Sequence, residues 1–202
     1  MLPETGLHIL LKNQEKRGKD KEVVTDKEIQ GKYVKLRSVS VDDAGFIVAI
    51  RNDKEINSFI HPTPTDIGLQ IQWIRDQIQR EGDYYFIMRD VMDNTPIGLL
   101  SIYNISKEGN AEYGRWISRG GALQNVEAVT LLFDFAFSEL DIEQIYMLTM
   151  EENHKVRHFW KSFGAQDMGI IKKDGLNLSK SMITKEEYLN MIRPKNGRLL
   201  KY

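Results

Sequence analysis

The chain contains no cysteine. Disulfides, thiolate nucleophiles and zinc–thiolate centres are therefore excluded. Net charge is also scarce: 28 Lys and Arg against 29 Asp and Glu leave −1, a balance that does not favour nucleic acid as a partner. No apolar run reaches the roughly 18 residues of a membrane span, and the N-terminus lacks the apolar core of a signal peptide. The expectation is a cytoplasmic protein without a membrane or nucleic-acid partner. Its four histidines form no spaced ligand pair, so no metal is expected. Internal repeats and low-complexity tracts are absent. Leu2-Pro3-Glu4-Thr5-Gly6 spells a sortase-type sorting signal. Such signals stand near a C-terminus before an apolar tail, so this match is read as coincidence or appended sequence.

What is present is a 202-residue chain, 41% hydrophobic and 28% charged, enough for one domain with a real core. Residues 12–30 are mostly charged and polar and cannot build a core; residues 1–30 read as a charged N-terminal arm, with a short strand open to Leu7–Leu11. Residues 31–202 read as a single domain. Tyr33–Val39 alternates as a strand. Val41–Ile50 reads as a helix capped by Ser40. Ile67, Ile71, Ile74 and Ile78 recur at helical spacing after Thr65-Asp66. Strands follow at Tyr84–Met88, Pro96–Ile105 and Ala111–Ser118, with Gly109-Asn110 joining the last two as a hairpin. A long helix over Leu123–Leu140 is apolar around most of its circumference and must lie deep. Ile145–Met150 reads as a central strand, Asn153–Phe163 as a helix ending at Gly164, and Ala165–Ile171 with Leu176–Ile183 as a closing hairpin. Strands and helices share one core, so the class is α/β or α+β.

The unit at 111–140 carries the chemistry. A strand runs into Arg119-Gly120-Gly121 and then into a helix. A helix N-terminus presents unpaired N–H groups and partial positive charge, and glycines before it let a ligand approach closely; together they suit a phosphate. Neither a Walker A motif nor a dinucleotide GxGxxG is present.

In this order of elements the chain resembles the GNAT superfamily of N-acetyltransferases, in particular the branch that acetylates ribosomal-protein N-termini or nucleotide-linked amino sugars. The resemblance rests on Ala111-Glu112-Tyr113-Gly114-Arg115-Trp116-Ile117, Gly120-Gly121, Glu127-Ala128, and Asn153, Val156 and Gly164. Arg51-Asn52-Asp53 with Ile56, and Pro96-Ile97-Gly98, resemble its earlier segments. It covers about residues 32–184. It implies a mixed, mostly antiparallel bent sheet flanked by helices, and acetyl-CoA as acyl donor. It implies coenzyme contacts from Trp116, Ile117, Ser118, Gly120, Gly121, Asn153 and Trp160, and leaves a homodimer open. Two departures stand out. Leu123 or Gln124 occupies the place of a later glycine in the phosphate loop. Trp160 stands where many members carry a tyrosine that protonates the leaving thiolate, and an indole is no useful acid; it is expected to pack on the coenzyme arm or in the core.

Acyl transfer needs a neutral amine. An α-amino group of pKa about 7.8 is roughly one-seventh neutral at pH 7, a lysine near 10.4 about once in 2,500. Glu112 is the candidate base: resembling transferases place a glutamate here, and alternation puts it on one strand face with Gly114 and Trp116. The alternative for Glu112 is an edge-strand carboxylate paired with Arg115 or a lysine. His61, in a loop before a proline, is the second candidate base. His154 and His158 read as surface residues, and Trp73 as packing or a lid. The leading function is an acetyl-CoA-dependent N-acetyltransferase acting on a small primary amine, an amino-sugar nucleotide or a protein N-terminus. The Arg51-Asn52-Asp53 region leans toward the nucleotide. The alternatives are a degenerate GNAT-fold module that holds coenzyme A without turnover, and an oligomeric scaffold.

Overall fold

A computed structural model describes residues 28–60 and 62–201. Eight strands form one sheet: β1 (Glu28–Gln30), β2 (Val34–Ser38), β3 (Tyr84–Asp90), β4 (Pro96–Tyr103), β5 (Asn110–Ser118), β6 (Gln144–Met150), β7 (Gln166–Lys173) and β8 (Leu176–Thr184). Their spatial order is β1-β2-β3-β4-β5-β6-β8-β7. Every pairing is antiparallel except β5 with β6. This is the mixed α/β, mostly antiparallel architecture that the sequence implied. The last residues of the charged N-terminal stretch, Glu28–Gln30, form the edge strand β1 against β2.

Helices cover both faces. On one lie α1 (Ala44–Arg51) and α2 (Ile67–Ile78). A short 3-10 turn at Val41–Asp43 leads into α1, where the Asp43 carboxylate accepts from the Ser40 N–H and hydroxyl and from Arg37. Asp66 starts α2 by accepting the Gly68 and Leu69 N–H groups at 2.7 and 3.3 Å. The core on this face joins Ile47, Ile50 and Ile74 to Tyr85, Ile87, Leu99 and Ile117 of the sheet.

The other face carries α3 (Ala122–Glu139) and α4 (His154–Phe163). Here Val129, Leu132, Phe133 and Ala136 pack on Phe86, Leu100, Ile102 and Tyr113. Glu127, fully buried within α3, accepts the backbone N–H groups of Lys32, Tyr33 and Val34 at 2.9, 2.6 and 2.7 Å. That carboxylate ties the start of β2 to the central helix. The chain beyond β8 is helical, which the sequence did not suggest. It comprises α5 (Lys185–Glu187), a π-helical turn (Tyr188–Ile192) and α6 (Arg193–Leu200). Tyr188 donates to the Thr130 carbonyl and to Asp134, and Arg193 pairs with Asp134 at 2.8 Å. Among the described residues no helix is long and apolar enough to cross a membrane.

Candidate active site

Two irregularities of β5 shape the site. Opposite Leu100 of β4, the chain of β5 carries an extra residue, and Arg115 sits there at φ 51°. Such a bulge turns the side chains beyond it to the opposite face. Trp116 therefore joins Tyr113 in the α3–α4 core, with ring centroids 6.0 Å apart. The alternation that put Trp116 on the Glu112 face is corrected by that extra residue. Secondly, β5 pairs with β6 only from Asn110–Gln144 to Tyr113–Met147. Beyond this the two parallel strands part, and the β6-side edge of Gly114–Ser118 is left without a strand partner.

Glu112 sits just before the opening and is buried. Tyr103 of β4 and Tyr146 of β6 lie directly opposite it on either side. Tyr103 donates to Glu112 Oε1 at 2.8 Å; Asn104 and Tyr146 donate to Oε2 at 2.9 and 3.2 Å. Among the described residues neither Arg115 nor a lysine pairs with it, and β5 is central, so no edge ion pair forms there. Asn104 reaches back because it leaves β4 at φ 53°. Tyr103 reaches across because Gly114 has no β-carbon, which would collide with the phenol. Burial, then the neighbouring Glu112 charge, pushes the Tyr103 and Tyr146 phenols up. Both remain donors at neutral pH.

At the far end of β5 the loop turns into α3. Its N-cap, Gly121, is extended (φ −70°, ψ 174°) and offers the first-turn amides no side chain. Gln124 Oε1 instead accepts the Gly121 N–H at 2.9 Å, and its amide donates to Asp90 at 2.6 Å. Arg119 beside the loop pairs with Asp53 at 2.6 Å, which holds the Asp53 carboxyl below its usual range. Leu123, where a later glycine was expected, is exposed. Trp116 Nε1, on the part of β5 beyond the opening, is buried without a hydrogen-bond partner among the described residues. An open strand edge, an unmet donor and a helix start free of a side-chain cap fit a pantetheine arm leading to a pyrophosphate.

A cavity of about 400 Å³ opens on the Glu112 face between α1, residues 62–64 and α2. Arg51, Thr63, Gln70, Trp73, Tyr85 and Arg115 line it. Arg51 Nε donates to Thr63 Oγ1 at 2.5 Å, and Asn52 exchanges hydrogen bonds with the Thr63 backbone, fixing that wall. Arg115 grips Asp83 through both terminal nitrogens, and its guanidinium carbon lies 4.2 Å from the Tyr103 ring centre. Burial pushes the Tyr85 phenol up to about 12, against the opposing pull of Arg51 and Arg115.

The structure brings Glu112, Trp116, Ile117 and Ser118 onto one strand that ends at Gly120-Gly121. Asn153 caps α4, accepting the Val156 N–H at 3.2 Å. Trp160 is buried in the aromatic core against Tyr113, Phe133 and Phe163. His61 lies outside the described residues. His154 and His158 are exposed. Tyr103, Asn104, Tyr146 and Gln70 were missed; the cross-strand ones needed the register, which local sequence does not encode. Among the described residues no group of three or more His, Asp or Glu is placed to hold a metal.

A family model described as an acetyltransferase (GNAT) domain matches residues 34–166. No curated protein sequence matches the chain significantly. Among solved structures, apo FdhC, titled a nucleotide-linked sugar GNAT, is 29% identical with a TM-score of 0.70, covering 83% of this chain and 98% of that one. A variant of the spermidine N-acetyltransferase SpeG from Vibrio cholerae is 20% identical with a TM-score of 0.66, covering 78% and 97%. A GCN5-related N-acetyltransferase from Brucella melitensis is 17% identical with a TM-score of 0.72, covering 87% and 86%. The last two share the fold. With that match spanning both the opened strands and the glycine-led helix, the chain belongs to the GNAT acetyltransferase family.

Proposed function

We propose that the chain is an acetyl-CoA-dependent N-acetyltransferase whose acceptor is the primary amine of a nucleotide-linked amino sugar. The observation that carries this is Glu112: a buried carboxylate, held by three neutral donors, at the point where β5 and β6 part. A carboxylate has about four acceptor sites. Three are filled, and the fourth is left for the proton of the incoming amine. The parted edge of β5 supplies backbone N–H groups to the coenzyme arm and to the thioester carbonyl. The acetyl-CoA supplies the acyl group. Glu112 takes the amine proton, the nitrogen bonds to the carbonyl carbon, and the carbon–sulfur bond breaks. Trp160 offers no acid, so the thiolate takes its proton from water.

The acceptor cavity supports the nucleotide over a polyamine. Among the described residues it is lined by Arg51 and by Arg115, the latter paired with Asp83, and by no carboxylate, a lining that suits phosphate better than a polycation. The likeness to the nucleotide-linked sugar GNAT points the same way. The degenerate-module reading draws on Trp160 and Leu123, and one experiment separates it. The protein is given acetyl-CoA with UDP- and dTDP-linked amino sugars, with spermidine, or with a peptide bearing a free N-terminus, and thiol release is followed. Release with an amino-sugar nucleotide and not with spermidine is expected. Release with the peptide alone moves the acceptor to protein N-termini. Coenzyme A binding without release for any acceptor leaves the binding module.

A further inference from the structure

The inward stripe of α2 consists of Gln70, Ile74 and Gln77. Two amides in a stripe that should be apolar need partners. Gln77 has them: its amide donates to the Asp83 carbonyl at 2.8 Å and to Asp83 Oδ1 at 3.2 Å. Gln70 does not. It is 6% exposed, its side chain makes no hydrogen bond among the described residues, and its amide opens on the cavity that it lines. The amide is not one of the enclosed polar atoms without a partner, so it meets whatever fills the cavity, and a ligand that displaces water there must match its donor and acceptor.

We infer that this cavity is the subsite for the nucleoside diphosphate half of the acceptor, with Gln70 reading the edge of the base and Arg51 facing the phosphates, while Arg115, held by Asp83, forms part of the wall. The inference rests on the amino-sugar acceptor proposed above. A glutamine amide presents a donor and an acceptor side by side, the complement of a base edge that carries one of each. Guanidinium groups match phosphate oxygens. A volume of about 400 Å³ falls within the roughly 300–1,000 Å³ of small-molecule sites. The cavity also leads to the chemistry. Arg115, which lines it, lies against the Tyr103 ring, and the hydroxyl of Tyr103 holds Glu112. A ligand anchored by its phosphates extends its sugar toward the carboxylate, so binding far from the amine serves to orient it.

The test uses the full chain and two variants, Gln70→Leu and Arg51→Met. Binding of UDP and dTDP is measured by calorimetry with coenzyme A present, and KM and kcat are measured with an amino-sugar nucleotide. Both variants should weaken nucleoside diphosphate binding about 10-fold or more and raise KM similarly, with coenzyme A affinity unchanged. Gln70→Leu should also raise the thermal midpoint of the free protein, which separates lost recognition from lost folding. Turnover of an amino-sugar nucleotide with unchanged KM in both variants overturns the subsite and leaves the function standing. Nucleoside diphosphate binding that Gln70→Leu weakens, without turnover of any amino-sugar nucleotide, keeps the subsite and removes the function. No binding of UDP or dTDP to the unaltered chain overturns the subsite. Inorganic pyrophosphate competing as well as the nucleotides, with no effect of Gln70→Leu, overturns the role given to Gln70.

Discussion

Tyr103 and Glu112 face each other across β4 and β5, and the phenol donates to the carboxylate at 2.8 Å. The phenol reaches it over Gly114, where a β-carbon would collide with the ring and its hydroxyl. Replacing Glu112 by Gln should keep coenzyme A affinity and cut turnover roughly 10²-fold or more, the usual scale of a general base. The loss should shrink at high pH, where more of the amine is already neutral. Tyr103→Phe should act more mildly, lowering kcat while leaving a pH profile of the same form. Full turnover by Glu112→Gln at neutral pH would remove Glu112 from the mechanism.

Gly121 and Gly120 should respond differently. A β-carbon on Gly121 meets Gln124 at an ordinary 3.8 Å, whereas one on Gly120 meets the Met88 methyl at 2.9 Å. Gly121→Leu should therefore still fold, at the cost of a poorer helix cap of about 1 kcal/mol, yet obstruct the start of α3 and weaken coenzyme A binding. Calorimetry beside a melting curve checks this. A folded Gly121→Leu protein with unchanged affinity would put the pyrophosphate elsewhere.

Glu127 is a structural carboxylate. Its removal in Glu127→Ala leaves three backbone donors at the start of β2 without a partner. The cost should be about 3 kcal/mol or more, a drop in Tm of about 10 °C for a chain of this size. A melting curve that does not move would show that β2 is anchored by packing alone.

Tyr85, Tyr103 and Tyr113 are raised by burial above their usual range. At pH 7 they are protonated in folded and unfolded chains alike and contribute nothing to the pH dependence. Above about pH 10 the unfolded chain releases these protons and the folded one keeps them. Stability that is intact below that pH is then lost as pH rises. Tyrosinate absorbance should lag in the folded protein and appear together with unfolding on alkaline titration. Smooth ionisation of all eight tyrosines before any loss of structure would contradict that burial.

Much of the scaffold was legible because its periods are strong. Ile67–Ile78 recurs at helical spacing and forms a helix over those residues. The apolar circumference of α3 foretold a helix buried in the core. The bulge at Arg115 was not legible. A left-handed arginine leaves no mark in an alternating pattern, and it moved Trp116 to the other face. The C-terminal helices were missed because 185–201 is rich in charge and contains Pro194. They form by docking Tyr188, Ile192 and Leu200 against α3. Glu112 was found through resemblance. Its tyrosine and asparagine partners come from other strands and from a turn, and only the folded register brings them together. The cavity escaped notice because Gln70 looks like any polar residue on a surface helix until its burial is known.

The single short parallel pairing between β5 and β6 makes the sheet a joint between two antiparallel sections, β1–β5 and β6-β8-β7. Across that seam the strands share hydrogen bonds only over Asn110–Tyr113 and Gln144–Met147, and α3 with its aromatic neighbours supplies the rest of the mortar. A long ligand arm lying in the gap would then act as an extra strand, closing a fault line as well as delivering an acyl group. Amide exchange at 114–118 and 148–150 should slow together when coenzyme A binds, because a guest that bridges both banks rigidifies them as one body.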